Sequence, residues 1–516
     1  MKKMKKVMAL LLSLVMVLAM SVVAFADEAT YTITIKNAET NHIYEAYQIF
    51  AGTLSEGVLS DINWGKDVKS FTYEGTNDAK NIAKALTPAK AEEFASVAGS
   101  NLKSTTSGTY SNGKITGLTA GYYLVKDKDG SVSGQSSYTS YLLRVAGNVE
   151  VTPKTGVPTV EKKVKENVKT VNEGGTDTDS NIPSYQIPAK YNDVADYNIG
   201  DKVPFQLVGT MPSNVDKYVH YYYEFADTLS NGLTYNKDAV VKIDGNIIDK
   251  VTVELNGNSL KVIFNDIKEV AAVTKDSIVT VDYTATLNSD AVIGLDGNPN
   301  EVKLIFSNNP NMTGDGTGKP DDTGETPIDK VIVFTYELDV EKVDGIENTK
   351  KLADAEFVLK RKVGETTEYA VVTREKLEKW ESDRNKATTL VTGDDGLVKV
   401  AGLDDGTYYL EETKAPSKYN KLSEDVTIVI SATTANNQIW KGTPSDALTK
   451  IDVTANGKTS DGNVNGGSVK VTVENNQGST LPTTGGMGTT IFYVVGSILV
   501  LGAAILLITK KRMSAR

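Results

Sequence analysis

Cysteine is absent from all 516 residues, so whatever staples this chain is not a disulfide. Histidine is nearly absent: His42 and His220 are too few for a histidine-based metal centre or acid–base site. Positive charge is in deficit, with 55 basic against 66 acidic residues and a formal net charge of −11. Such an acidic exterior argues against nucleic acid or an anionic membrane surface as partners and suits solubility in a crowded cell envelope. Long apolar runs are missing from the body of the sequence and occur only at its two ends.

Those ends are informative. Lys2, Lys3, Lys5 and Lys6 precede an apolar run from Val7 to Val23, closed by the small-residue site Ala24-Phe25-Ala26. This is the layout of a secretory signal peptide over 1–26, so the mature chain is expected to start at Asp27. At the other end, Ile491 to Ile508 carries no charge and is followed by Lys510, Lys511 and Arg512. The run just reaches membrane-spanning length, and the basic tail places the C-terminus in the cytoplasm. Removing the four leader lysines and the four basic residues of the tail takes the net charge from −11 to −19 for 27–484.

Immediately before the apolar run stands Leu481-Pro482-Thr483-Thr484-Gly485. Leu-Pro-x-Thr-Gly, a short spacer, a hydrophobic span and a basic tail together form a sortase sorting signal. A sortase thiolate is expected to attack the Thr484 carbonyl and release Gly485 with the membrane segment; an amine then resolves the thioester. Pro482 bends the substrate, and Gly485 lets the enzyme approach closely.

Between the ends, Val, Ile, Thr and Tyr alternate with polar residues in short runs separated by Gly, Asn and Asp, as in 30–35, 251–255, 260–264 and 426–430. This pattern predicts an all-β chain of tandem sandwiches. Helical spacing predicts helices over 78–98 and 374–384. Composition breaks at 153–158 and 308–327 divide the chain into a signal peptide (1–26), an N-terminal domain (27–153), a middle domain (154–310), a linker (311–327), a C-terminal domain (328–480) and a sorting segment (481–516). Leu118-Thr-Ala-Gly-Tyr-Tyr-Leu124 echoes Leu403-Asp-Asp-Gly-Thr-Tyr-Tyr-Leu410, with Lys126 standing where the later copy has Glu412.

Four further stretches carry a family resemblance: Tyr44-Glu-Ala-Tyr-Gln-Ile-Phe50, Val151-Thr-Pro-Lys154, Asp227-Thr-Leu-Ser230, and Tyr408-x-Leu-x-Glu-Thr-x-Ala-Pro416. With the sorting signal, they make the chain resemble the backbone pilins of Gram-positive bacteria, shaft subunits built from Cna-type isopeptide domains. The resemblance implies three tandem immunoglobulin-like sandwiches, with the last stretch as the family's E-box and Lys154 as its pilin-motif lysine.

Strand parity is consistent with the lysine roles so implied, because side chains alternate faces. Lys154 falls on the face opposite Val149 and Val151, outward, as an assembly amine should. Lys162 shares a face with Val160 and Val164, and Lys342 with Leu338 and Val340. A buried ammonium needs a partner. Inward candidates are Asp227 with Asn300 and Glu412 with Asn475. The resemblance implies that Lys162–Asp227–Asn300 and Lys342–Glu412–Asn475 each close a Lys–Asn isopeptide bond, the acid shuttling protons once per molecule. Lys163 and Asn298 are near competitors in the middle domain. No such bond is expected in the first domain, where Lys126 replaces the acid.

The expected function is that of a structural subunit of a wall-anchored surface pilus, joined head to tail through Lys154 and Thr484. The alternative is a monomeric wall-anchored adhesin. Implied partners are a pilus sortase, further copies of the chain, minor pilins, peptidoglycan and a host-surface ligand, with no nucleic acid. No cofactor, no metal and no enzymatic turnover are expected: Asp129-x-Ser131-x-Ser133 reads as turn chemistry, and the acidic loop 315–322 lacks a full calcium ligand pattern.

Overall fold

The computed structural model describes residues 29–38, 42–87, 89–132, 134–152, 156–167, 175–176, 186–310, 313–435, 440, 442–478 and 487–514. Strands dominate, as the alternation predicts, and they assemble into successive sandwiches.

In the N-terminal unit, one sheet runs Val58–Trp64, Tyr44–Ser55, Gly121–Asp127, Ser140–Val145, and the other Thr109–Ser111, Lys114–Leu118, Tyr31–Ile35, Val149–Val151. The first and last of these strands in sequence, Tyr31–Ile35 and Val149–Val151, lie parallel. The sandwich core holds Ile33, Tyr44, Ile115, Tyr123 and Val149, while a separate core around Phe50 and Phe94 lies under two helices. The single helix predicted over 78–98 is two, Ala79–Ala85 and Ala91–Gly99. Leu86 is extended, and Thr87 precedes Pro88, which disfavours helical backbone in the residue before it.

The middle unit packs two sheets face to face. One contains Val160–Lys165, Lys202–Thr210 and Ile278–Leu287 in that order; the other contains Asp329–Phe334, Asn298–Ser307 and Tyr223–Leu229. Ile278–Leu287 shows the inward alternation cleanly, with Val279, Val281, Tyr283, Ala285 and Leu287 buried. Part of the stretch read as a linker over 311–327 is sheet. Thr323–Glu325 pairs with Ser307 back to Ile305, so 323–325 belongs to this unit's sheet. Asp329–Phe334, assigned by composition to the third domain, also pairs with Asn298–Val302.

The third unit begins at Tyr336–Asp344, whose partner is the last strand, Ser468–Asn475, in parallel register with Lys342 opposite Val473. The helix predicted over 374–384 is instead the strand Lys376–Glu381, paired with Thr366–Thr373. Arg374 and Glu375, at φ +51° and +65°, make a two-residue hairpin turn, and cross-strand pairing overrides the helical spacing of the apolar residues. Middle and third units share one continuous core. Beyond them, Met487–Met513 is a helix, and an 18-residue window within Thr490–Met513 has a mean hydropathy of 2.7, long and apolar enough to cross a membrane.

Candidate functional site: two buried lysine–acid–asparagine clusters

In the third unit, Lys342 and Asn475 sit on adjacent parallel strands, two residues out of register and on one face. Lys342 Nζ contacts Asn475 Oδ1 directly and lies 3.3 Å from Glu412 Oε1. Asn475 Nδ2 donates to the same Glu412 oxygen at 2.9 Å, while the Leu422 amide holds Oε2 at 2.7 Å. All three side chains are buried, and the Phe357 ring caps the ammonium at 5.7 Å. Burial pulls the Lys342 pKa down, opposed by the Glu412 charge.

The middle cluster is built across the two sheets. Lys162 and Tyr283 come from one sheet, and Asp227 and Asn300 from the other, where they are diagonal neighbours on paired strands. Lys162 Nζ contacts Asp227 Oδ2 and lies 2.9 Å from the Tyr283 hydroxyl. That hydroxyl donates to Asp227 at 3.0 Å and accepts from Asn300 Nδ2 at 2.8 Å. Tyr283 was not singled out in the sequence, although it shares its strand's inward parity with Val279 and Val281. Burial pushes Lys162 down and Asp227 up, each opposed by the other's charge. Both clusters thus place an amine, a carboxyl and a carboxamide together where water is excluded.

The near competitors are engaged elsewhere. Lys163 pairs with Asp193 at 2.8 Å. Asn298 accepts from the Val292 amide and donates to the Val292 and Val333 carbonyls. In the N-terminal unit, Lys126 is buried against Asp129 with its ammonium 5.9 Å from the Tyr47 ring centre. Asp129 is therefore an ion-pair partner, and Ser133 falls outside the described residues. In the acidic loop, Asp315 is occupied by Thr317 and Asp322 by Asn309. Lys154 and Leu481, Pro482, Thr483, Thr484 and Gly485 also lie outside the described residues.

Comparison with known proteins gives three family matches. Residues 199–310 match the Cna-B-like domain of Gram-positive pilin backbone subunit 2, 336–443 the SpaA prealbumin-like fold domain, and 473–514 the LPXTG cell wall anchor motif. The chain is 24% identical over 410 residues to the trypsin-resistant surface T6 protein of Streptococcus pyogenes serotype M6, covering 70% of each. Its fold resembles the solved T6 backbone pilin of that serotype, with a TM-score of 0.53 and 17% identity over 89% of this chain and 100% of the other. The full-length major pilin SpaD of Corynebacterium diphtheriae aligns at a TM-score of 0.47 and 18% identity, over 88% of this chain and 99% of that one.

Proposed function

We infer that this chain, a Gram-positive backbone pilin carrying a pilin-backbone domain and a wall-anchor signal, is the repeating subunit of a covalently polymerised pilus. It is a structural protein of the cell-wall-anchored surface fibre. A pilus sortase cleaves after Thr484 and transfers the acyl group to Lys154 of another copy; minor pilins and peptidoglycan complete the fibre.

Inside each subunit, two self-made isopeptide bonds staple the middle and third domains. In the third domain, burial favours the neutral Lys342 amine, which attacks the Asn475 carboxamide carbon. Glu412, hydrogen-bonded to the carboxamide, takes a proton from the amine and delivers it to the departing nitrogen. One C–N bond forms, one breaks, and ammonia leaves. Lys162, Asp227 and Asn300 do the same across the middle sandwich, with Tyr283 joining the three. The acids act once per molecule, so the chemistry is maturation and not turnover.

The observation that carries this reading is the convergence of both Lys–acid–Asn clusters in dry sites upstream of one sorting signal. Two measurements test it. Intact mass of the mature chain should fall below the sequence mass by two ammonia molecules. Wall extracts should give a boiling-resistant ladder that Lys154→Ala abolishes while leaving anchored monomer. A wild-type chain that is anchored only as monomer would make it a singly displayed adhesin.

A further inference from the structure

The last strand ends at Asn475, yet the chain stays fixed for three more residues. The Gly345 amide donates to the Asn475 carbonyl at 2.9 Å, Asn420 to Asn476 at 2.9 Å, and Gly478 to the Lys418 carbonyl at 3.1 Å. Side chains reinforce this. Gln477 Nε2 donates to Asp344 and to the Tyr419 hydroxyl, both at 3.3 Å, and Tyr419 in turn donates to Asp344 at 2.7 Å. Asp344 also accepts the Ile346 and Glu347 amides, and these donors hold its carboxyl well below the usual range.

This latch leaves a short tether. Only Ser479 and Thr480 separate Gly478 from Leu481, so Leu481 lies within about 10 Å of the domain base at full extension. Gly478 to the start of the Met487–Met513 helix is nine steps, at most about 30 Å. A catalytic domain is itself about that size. An enzyme that takes 481–485 into its cleft while the helix is still in the membrane must therefore press against the base of the third domain. That base consists of the loops 344–350 and 416–421. They carry Ile346, 84% exposed, and the exposed Lys350 and Lys418 on a strongly acidic chain.

We propose that these two loops form a docking surface for the sortase, engaged together with the sorting pentapeptide. The proposal rests on the sortase reading given above. Ile346 supplies the apolar contact, Lys418 the charge, and the Asp344–Tyr419–Gln477 latch fixes the distance from surface to scissile bond. Binding at two linked points raises the capture rate of the whole chain over that of the pentapeptide alone.

The test uses a purified sortase that cleaves a free peptide of residues 479–486, with the full-length precursor in detergent as the other substrate. Wild-type precursor should be cleaved with a kcat/KM about tenfold or more above the peptide. Ile346→Asp combined with Lys418→Glu should bring it to within about twofold of the peptide, with melting temperature unchanged, and Ile346→Leu should retain the wild-type rate. A precursor cleaved no faster than the peptide, or equally with and without the double substitution, overturns the proposal. So does a double variant that is cleaved normally but transfers poorly to Lys154, because the surface would then serve subunit contact. If no sortase cuts the peptide between Thr484 and Gly485, the functional reading fails first.

Discussion

Lys126, Lys162, Lys163 and Lys342 are all buried, and their neighbours set them apart. Lys126 and Lys163 each pair with an aspartate, whereas Lys342 shares Glu412 with Asn475, and Lys162 shares Asp227 with the Tyr283 hydroxyl, which also holds Asn300. Glu412→Gln removes the proposed proton shuttle from the third domain while nearly preserving its shape. Closing a loop as long as 342–475 is worth about 5 kcal/mol in the chain-entropy picture. The variant should therefore keep one extra ammonia by intact mass and lower the melting temperature of the transition that contains this domain by about 5–10 °C. Tyr283→Phe removes the hydroxyl that joins all three members of the middle cluster. Freshly made protein should then be a mixture of linked and unlinked middle domain by mass, with the third domain fully linked. Asp329 offers a pH test. It accepts the Lys162 amide at 2.6 Å, yet burial, aided by the nearby Asp193 and Glu161 charges, raises its pKa to about 6. A raised acid favours the folded state below the unfolded pKa and loses that contribution as pH climbs through the folded value. Middle-domain stability should thus decline between about pH 4 and 7, by as much as about 3 kcal/mol. Asp329→Asn should flatten that decline in denaturation curves taken across the range.

At the scale of the strand, Val160–Lys165 shows what alternation can and cannot tell. Parity identifies Lys162 as inward, but Glu161 and Lys163 are buried too, because the other face of this strand is also covered. Period two puts Lys162 and Lys163 on opposite faces but, with both faces covered, does not say which lysine meets an asparagine; their partners do, and those come from strands far away in sequence. Tyr283 was legible only as one inward residue among several, and its role depends on a facing sheet that no local pattern specifies. The helix expected over 374–384 gave way to a hairpin for the same reason. Asp329–Phe334 is the most consequential difference, since it completes the middle sheet beside Asn300, which pairs with Val331. A middle fragment spanning 156–327 lacks that strand and should retain all its ammonia by mass. A fragment extended to 335 should lose one molecule. Equal masses, relative to sequence, would show the strand to be dispensable for bond formation.

Across the whole molecule, the three units are not equally coupled. The N-terminal unit has cores of its own and meets the middle unit through contacts such as the Tyr138 amide on the Asn308 carbonyl. The middle and third units instead share a core that runs through Phe334 and Tyr336, and the Tyr336 hydroxyl donates to Asp196 at 2.9 Å. One tight contact between them is at Gly402. Its φ is +94°, the Ile199 amide donates to its carbonyl at 2.9 Å, and a Cβ there would lie 2.5 Å from Ile199 Cδ1. Gly402→Ala therefore combines backbone strain with a side-chain clash at the junction. Calorimetry of residues 27–484 should show two transitions in the wild type, one for the N-terminal unit and a higher joint one for the other two. The substitution should split the joint transition while leaving both isopeptide masses intact, because neither lysine cluster touches Gly402. Three transitions in the wild type would mean that the shared core does not make the two units unfold together. A pulled fibre would then yield first at this junction and not within either stapled sandwich.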